Sequence, residues 1–484
     1  MLLLDRPAPA RAGERRNTHL VLAAALLMTV GLRLLYLGFP LGIDDGGVAF
    51  IAKAWGTGHG SLYGAYWLDR PPLLVALYKL AVAAGPTGIR VLGMLAALAL
   101  VAVTTVVTRA VAGERAARLA ALLSAGMASS IALSAVFTPS ELLAAVPAAG
   151  SIGCLVAAHR RGEARWLIAA GLLAVSAALI KQSFLDAGFA GAVFLLSSRG
   201  PRLRWAATYA AGALLPLAGV AAWLAVAHVA PGELAYALFG FRIHALDALS
   251  ASNLPLHVRV QSLVLPGAAS GLFVVLVLAL RGVWALRGDR ALAVTLAAWL
   301  GAGAVGVLGG GSYWPHYLIE LVAPASLLAG AALSPVRLGG RVAAALAAVA
   351  VIGTVGAVGP ARAIQTDHGV VPVAHYVRDH ARPGDTQYVL YARANVGYYT
   401  GLPSPYPYAW SLLVRAHPGA VTELRQLLES PRRPTWIVGW QRPSRWGLDP
   451  GGATARSLQA HYRVVAHVHG HPIYHRTSSP RSSQ

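Results

Sequence analysis

Apolar runs of membrane-spanning length recur along this chain from His19 to about residue 360. A bilayer core about 30 Å thick takes about 20 consecutive apolar residues to cross as a helix. Lipid offers no water to an open backbone, so runs of this length are restricted to helices that satisfy their own amides and carbonyls. The runs lie at 19–39, 88–108, 117–136, 140–158, 166–183, 184–198, 206–229, 262–280, 291–308, 317–333 and 342–360, about 11 transmembrane helices. Composition agrees: 56% of the 484 residues are hydrophobic and 12% charged, against about 25% charged in soluble domains. The fold class expected is an all-α polytopic membrane protein.

Arginine placement supplies an orientation. Alternate loops carry Arg109/Arg115/Arg118, Arg160/Arg161/Arg165, Arg199/Arg202/Arg204, Arg281/Arg287/Arg290 and Arg337/Arg341, all on the side of the basic residues 1–18. The opposite loops, including 230–261 and "GGGSYWPHY", are poorer in arginine. Cytoplasmic loops carry the excess of basic residues, so the net charge of +21 reads as an insertion signal rather than a nucleic-acid surface. The expectation is a multi-pass protein of the cell membrane with a cytoplasmic N-terminus. The first run, 19–39, is longer than a secretory apolar region and ends without a small-residue cleavage site, so it reads as a retained span. "PPLLVALYKLAVAAG" is too short to cross and reads as an amphipathic or re-entrant helix at the outer interface. The single cysteine, Cys154, excludes intramolecular disulfides and a thiolate metal cage.

After Pro360 the pattern changes. "TQYVLYA", "TWIVGW" and "YRVVAHVHGHPIYHR" read as strands, "PVAHYVRDHA" and "GAVTELRQLLES" as helices. Residues 361–476 are therefore expected to form a small extracytoplasmic α/β domain, following a transmembrane region over 19–360, with 477–484 as a disordered tail. No internal repeat is visible, which weighs against a repeat-built transporter.

The chemistry concentrates in "LGIDDGGVAFIAKAWGTGHGSLYGAYWLDRPPLL", residues 41–74, directly after the first span. Ionisable groups at membrane depth are costly and mark function by default; the plainer reading is that Asp44 and Asp45 end the span in interfacial water. The second pair, Asp69-Arg70, is ringed by aromatics and followed by two prolines that fix the chain direction. Together they describe a rigid loop presenting acids and a base near one another.

These residues resemble the first outer loop of GT-C membrane glycosyltransferases, most of all the family 39 protein-mannosyltransferase and aminoarabinose-transferase type. "FTPSELLAAV" is similar to that family's segment after the third span, where Thr-Asp is commoner than the Ser140-Glu141 found here. "ALIKQSF" and "SYWPHYLIELVAPASLLAG" resemble two later span ends, so the likeness runs through most of residues 18–335. Asp45-Gly46-Gly47 departs from the bulkier residues usual after the first aspartate. The resemblance implies sugar transfer from a polyprenyl-phosphate donor to an acceptor glycan, lipid or protein on the outer face, usually with inversion. Such chemistry needs a carboxylate base and cations for the departing phosphate. By position Asp44 matches the family's catalytic aspartate. Asp45 would assist it or contribute to a weak divalent-metal site, the one cofactor contemplated. Arg70 would hold phosphate bidentately, with Asp69 orienting it.

Supporting candidates are less specific. The three lysines, Lys53, Lys79 and Lys181, all fall on the expected outer half. Lys53 reads as a phosphate contact or a solvated helix face, Lys181 as a phosphate contact or a lysine snorkelling from a span end. Arg242, His244, His257 and Arg259 in the second outer loop would line the lipid-phosphate groove or belong to an ordinary interfacial helix. Glu141 and His316 match family positions; His316 serves equally as an interfacial anchor. His467, His469 and His471 alternate and would share one face of a strand, which reads as surface before it reads as metal. "ANVGYYTGLPSPYPY" has the aromatic density of a carbohydrate-contacting loop or of a small domain's core. Two other functions compete with transfer: a transporter or flippase for lipid-linked glycan, which predicts charges within spans and related halves, and a non-catalytic scaffold on the same fold.

Overall fold

The computed structural model describes residues 12–57, 60–250, 255–367 and 369–477. Most of the expected cytoplasmic segment, 1–11, and of the expected tail, 478–484, lies outside the described residues. The chain divides into two compact units, one from Met1–Gly38, Arg90–Trp223 and Leu254–Val358, the other from Phe39–Ile89, Leu224–Asn253 and Gly359–Gln484.

The first unit is helical. Among the described residues seven helices are long and apolar enough to cross a membrane, and the bent pair Leu256–Ala269 and Leu272–Ala285, taken as one span, makes an eighth. The helix Gly85–Ala128, at 44 residues, runs about 66 Å at 1.5 Å per residue, more than twice a bilayer core. It is broken at Gly113, where φ 86 and ψ −177 lie outside the helical region and favour a residue without Cβ. The expected spans 88–108 and 117–136 are largely its two halves. Arg165–Ile180 and Asp186–Ser197, 16 and 12 residues, are apolar but reach only about 24 and 18 Å. Each of the eleven expected runs thus folds mainly as helix, but these two fall short of the about 20 residues a crossing takes. The run expected at 262–280 starts earlier, at Leu256, and turns by 76° where Gly271 adopts φ 74.

The first helix, Ala12–Leu34, ends on a buried guanidinium. Arg33 donates to the carbonyls of Ala128 (3.3 Å), Ala135 and Phe137 (2.5 Å), closing the irregular turn 129–139 that follows the long helix. Such a buried cation is tolerated because carbonyl oxygens replace its lost water.

The second unit joins two chain excursions to the C-terminal α/β fold. Strands β1 (Gln387–Val389), β2 (Trp436–Val438), β3 (Tyr462–Val468) and β4 (His471–Arg476) form one sheet in the order β1-β2-β4-β3. β1 and β2 are parallel; β4 runs antiparallel to both β2 and β3. Val370, Val373, Ala374 and Val377, on one stripe of the helix Val370–His380, pack with Val389, Val438 and Ile473 into its core. The expected strands and both expected helices are present, the second helix as Ala420–Glu429. The expected strand 462–476 is a hairpin: His469 and Gly470 take φ 49 and 78, and positive φ at both central residues makes a two-residue turn that matches strand twist.

Candidate functional site

Asp44 and Asp45 open the helix Ile43–Ala54, where carboxylates complement the positive end of the helix dipole. Asp44 is exposed and Asp45 buried, with the Tyr78 hydroxyl donating to Asp45 Oδ1 at 3.5 Å. Tyr78 comes from the helix Pro72–Val82, which begins at the double proline: Pro71 caps it and Pro72 fills its first position, where a missing N–H costs nothing. This is the short helix expected after Asp69-Arg70.

The two glycines after Asp45 have a packing reason. A Cβ on Gly46 would collide with Cβ of Asn395, and one on Gly47 with the Trp410 ring and Ala394. The helix Ile43–Ala54 therefore lies directly against the helix Ala394–Thr400 of the α/β fold. Asn395 Nδ2 donates to Leu41 O at 3.0 Å and Leu41 N donates to Tyr399 Oη at 2.7 Å, fixing the backbone three residues before Asp44. The C-terminal fold thus sets where the aspartates stand.

Asp69 holds two arginines. Its Oδ2 lies 2.6 Å from Arg70 Nη1 and 3.8 Å from Arg242 Nη2. The loop is braced by the Tyr63 hydroxyl, which donates to Arg70 O at 2.7 Å. Burial first, and the Asp69 charge second, push the Tyr63 phenol up, so it stays protonated and donating. Arg242 is delivered by the π-helical turn Tyr236–Gly240, a rare geometry concentrated at functional sites. Trp67 packs edge-on to Phe241 (5.0 Å) and near Tyr236 (6.2 Å), which fixes that turn beside Asp69. Arg415 Nη2 donates to Ala248 O at 2.6 Å, tying the same segment to the α/β fold. Asp44, Asp45, Asp69, Arg70 and Arg242 thus all belong to one compact unit.

Lys53 is near the other end of the helix that Asp44 and Asp45 open, whereas Arg259, Lys181, Glu141 and His316 belong to the first unit. Lys53 is exposed, its Nζ 6.0 Å over the Tyr398 ring. Arg259 lies in the first unit and donates to Gly311 O at 3.3 Å. Lys181 does not snorkel: it is 3% exposed and its Nζ lies 2.9 Å from Glu141 Oε1, with His316 Nε2 3.9 Å from the same oxygen. Glu141, Lys181 and His316 were separate expectations; folding makes them one cluster of the first unit, with Glu141 and Lys181 buried and His316 half-buried.

That cluster contains two acids the sequence reading passed over. Asp186 accepts from Trp299 Nε1 at 2.8 Å, and Glu320 is 3% exposed. Gly303 and Gly306 of the helix Arg290–Gly309 leave the space these carboxyls occupy, since a Cβ at Gly306 would sit 2.6 Å from Glu320 Oε1. The available signal was an acid inside each of two apolar runs, "SFLDAGF" and "YLIELVAP". Glu141 is in its helix's first turn, Asp186 opens its helix, Lys181 ends one, and Glu320 sits in the 3-10 turn Pro315–Leu321. The charges gather at helix ends rather than mid-span.

The histidine series is corrected. His467 is on β3, His469 in the turn and His471 on β4, so they do not alternate along one strand; the pair at 469–470 reverses the chain. "ANVGYYTGLPSPYPY" supplies mainly core: Tyr398, Tyr406 and Tyr408 are buried, and Tyr406 packs edge-on to Tyr388 at 4.8 Å. Among the described residues no three His, Cys, Asp or Glu side chains come together as metal ligands.

Residues 69–225 match the sequence profile of the dolichyl-phosphate-mannose-protein mannosyltransferases. No curated protein sequence matches the chain significantly. Among solved structures, ArnT from Cupriavidus metallidurans bound to undecaprenyl phosphate superimposes with a TM-score of 0.66 at 18% identity, covering 96% of this chain and 99% of that one. Its apo form gives 0.67 at 18% identity over 97% and 100%. The apo oligosaccharyltransferase of Archaeoglobus fulgidus gives 0.56 at 14% identity over 96% and 75%. The chain is a multi-pass membrane protein with the fold of the GT-C glycosyltransferases.

Proposed function

We propose that this protein transfers a sugar from a polyprenyl-phosphate donor to an acceptor hydroxyl on the outer face of the membrane, with inversion at the anomeric carbon. One observation carries the reading: the exposed Asp44 and the Asp69–Arg70–Arg242 set belong to the same compact unit, positioned by the same α/β fold. The profile match across 69–225 and a shared fold with a protein solved with undecaprenyl phosphate bound support the donor class.

In this reading the acceptor oxygen attacks the anomeric carbon opposite the phosphate. A carbon–oxygen bond forms as the bond to the phosphate oxygen breaks, its electron pair leaving on the polyprenyl phosphate. The acceptor proton passes to the Asp44 carboxylate, and Asp45, steadied by Tyr78, keeps the helix start in place. Arg70 and Arg242 meet the charge that grows on the departing phosphate, while Asp69 holds both guanidinium groups ready.

The test uses membranes containing the full chain and a polyprenyl-phosphate-linked sugar. Asp44→Asn should lower transfer by about 10³-fold, within the range for losing a positioned base, with protein level and thermal midpoint unchanged. Transfer at the wild-type rate removes Asp44 as the base.

A further inference from the structure

The helical unit gathers more buried acid than buried base. Glu141, Asp186 and Glu320 are each at most 3% exposed, and Lys181 is the lysine among them. Half-buried His316 stands 3.9 Å from Glu141. Asp186 and Glu320 meet at one point of the helix Arg290–Gly309: a Cβ on Gly303 would lie 3.8 Å from Asp186 Oδ2 and 3.5 Å from Glu320 Cγ. The charges acting on Glu320 are those of Asp186, Glu141 and Lys181. Arg259, on the helix Leu256–Ala269 packed against the same 3-10 turn, donates instead to Gly311 O at 3.3 Å. Three carboxyls thus share one ammonium and one half-buried imidazole.

The three carboxyls are not equally served. Glu141 has the Lys181 ammonium at 2.9 Å. Asp186 opens the helix Asp186–Ser197, whose positive end favours a charge, and its Oδ2 accepts from Trp299 Nε1 at 2.8 Å. Glu320 has neither aid. Its Oε1 is buried without a hydrogen-bond partner and fills the space where Gly306 lacks a side chain; Asp186 Oδ1 is likewise buried and unpartnered. A buried carboxylate without a donor takes up a proton rather than keep its charge. Two carboxyls sharing one site resist ionising together for the same reason. A proton is also the one cation that needs no cavity of its own, which suits an oxygen packed against a glycine.

We propose that Asp186 and Glu320 form a proton-binding carboxyl pair inside the helical unit, with the proton on Glu320 and the charge on Asp186 at neutral pH. The neutral Glu320 leaves the Lys181 ammonium to Glu141. Loss of the proton would set the two glutamates in competition for one lysine.

The test reads a proton, not transfer, so it stands whether or not Asp44 is the base. Full-length protein in a neutral detergent is titrated with pH and followed by infrared difference spectroscopy in ordinary and heavy water, which reports the carbonyl stretch of a protonated carboxyl. At neutral pH an ordinary carboxyl, with a pKa of about 4, is ionised and silent in that band. Wild type and Asp379→Asn, a control at an exposed acid, should both show the band. Glu320→Gln should lose it with an unchanged thermal midpoint, because glutamine has the shape of the neutral acid. In Asp186→Asn the proton should leave Glu320 at lower pH than in wild type, since the negative neighbour that favours it is gone. Absence of the band in wild type, its persistence in Glu320→Gln, or an unmoved titration in Asp186→Asn overturns the proposal. A midpoint that rises with sodium while the band is missing assigns the pair to a metal cation and overturns it as well. Should Glu320→Gln lower the midpoint, the Asp186→Asn titration decides under the same criterion.

Discussion

Glu141 and Lys181 show what a single pair contributes when both groups leave water. Their side chains are 1% and 4% exposed and their charged atoms 2.9 Å apart. Removing one partner of such a pair strands the other in a low-dielectric interior and costs about 3–5 kcal/mol, whereas replacing both with apolar groups of similar size is often close to neutral. Glu141→Gln or Lys181→Met alone should therefore lower the thermal midpoint sharply in detergent. A Glu141→Gln/Lys181→Met double variant should recover most of the loss, leaving a coupling energy that a double-mutant cycle reads directly. Additive losses would mean that the pair is not coupled. Each residue was legible in the sequence as an oddity at a span end. Their partnership was not, because 40 residues and a helix reversal separate them.

At the scale of elements, the α/β fold depends on Asp449. This carboxylate accepts from Thr454 N at 3.0 Å and Ala455 N at 3.1 Å, two of the free amides in the first turn of the helix Ala453–His461, and lies 3.4 Å from Arg425 Nη2. Burial pushes the Asp449 carboxyl up, but the amide bonds and Arg425 outweigh it and leave it below the usual carboxylate value. A carboxyl lowered on folding stabilises at pH above its unfolded value and loses that contribution as pH falls through the folded one. Amide protection of the helix Ala453–His461, read by hydrogen exchange, should therefore weaken as pH drops below the ordinary aspartate range. Asp449→Ala should abolish that dependence and cost about 1–3 kcal/mol at neutral pH through the orphaned amides. Strands β1 and β2 were readable from β-branched and aromatic runs. The hairpin turn at His469–Gly470 was under-read because alternation of His467, His469 and His471 mimics one continuous strand. The helix Ala394–Thr400 was hidden in an aromatic stretch whose period says little over seven residues.

For the whole molecule, arginine asymmetry between alternate loops predicts a cytoplasmic N-terminus and an outward α/β fold. The single cysteine makes this testable. In a Cys154→Ser background, Arg432→Cys should react with an impermeant maleimide in intact cells. Gly288→Cys, in an arginine-rich loop with open space around its Cα, should react only after permeabilisation. The opposite pattern would reverse the topology and remove the outer-face assignment. The partition into two units also bears on function, since the loop after the first span and residues 224–253 fold with the C-terminal region rather than with the helices they connect.

Apolar run length, and the strand and helix patterns after Pro360, were enough to determine a polytopic helical protein with a small α/β fold, because lipid leaves the backbone few options and both signals are local. The stretch 41–74 likewise declared its acids and its arginine by composition alone. Which arginine would meet Asp69, why Gly46 and Gly47 follow the aspartates, and where Asp186 and Glu320 would find room were decided only in three dimensions. Those contacts join residues tens to hundreds of positions apart, and their energy exists only once close packing has brought the segments together.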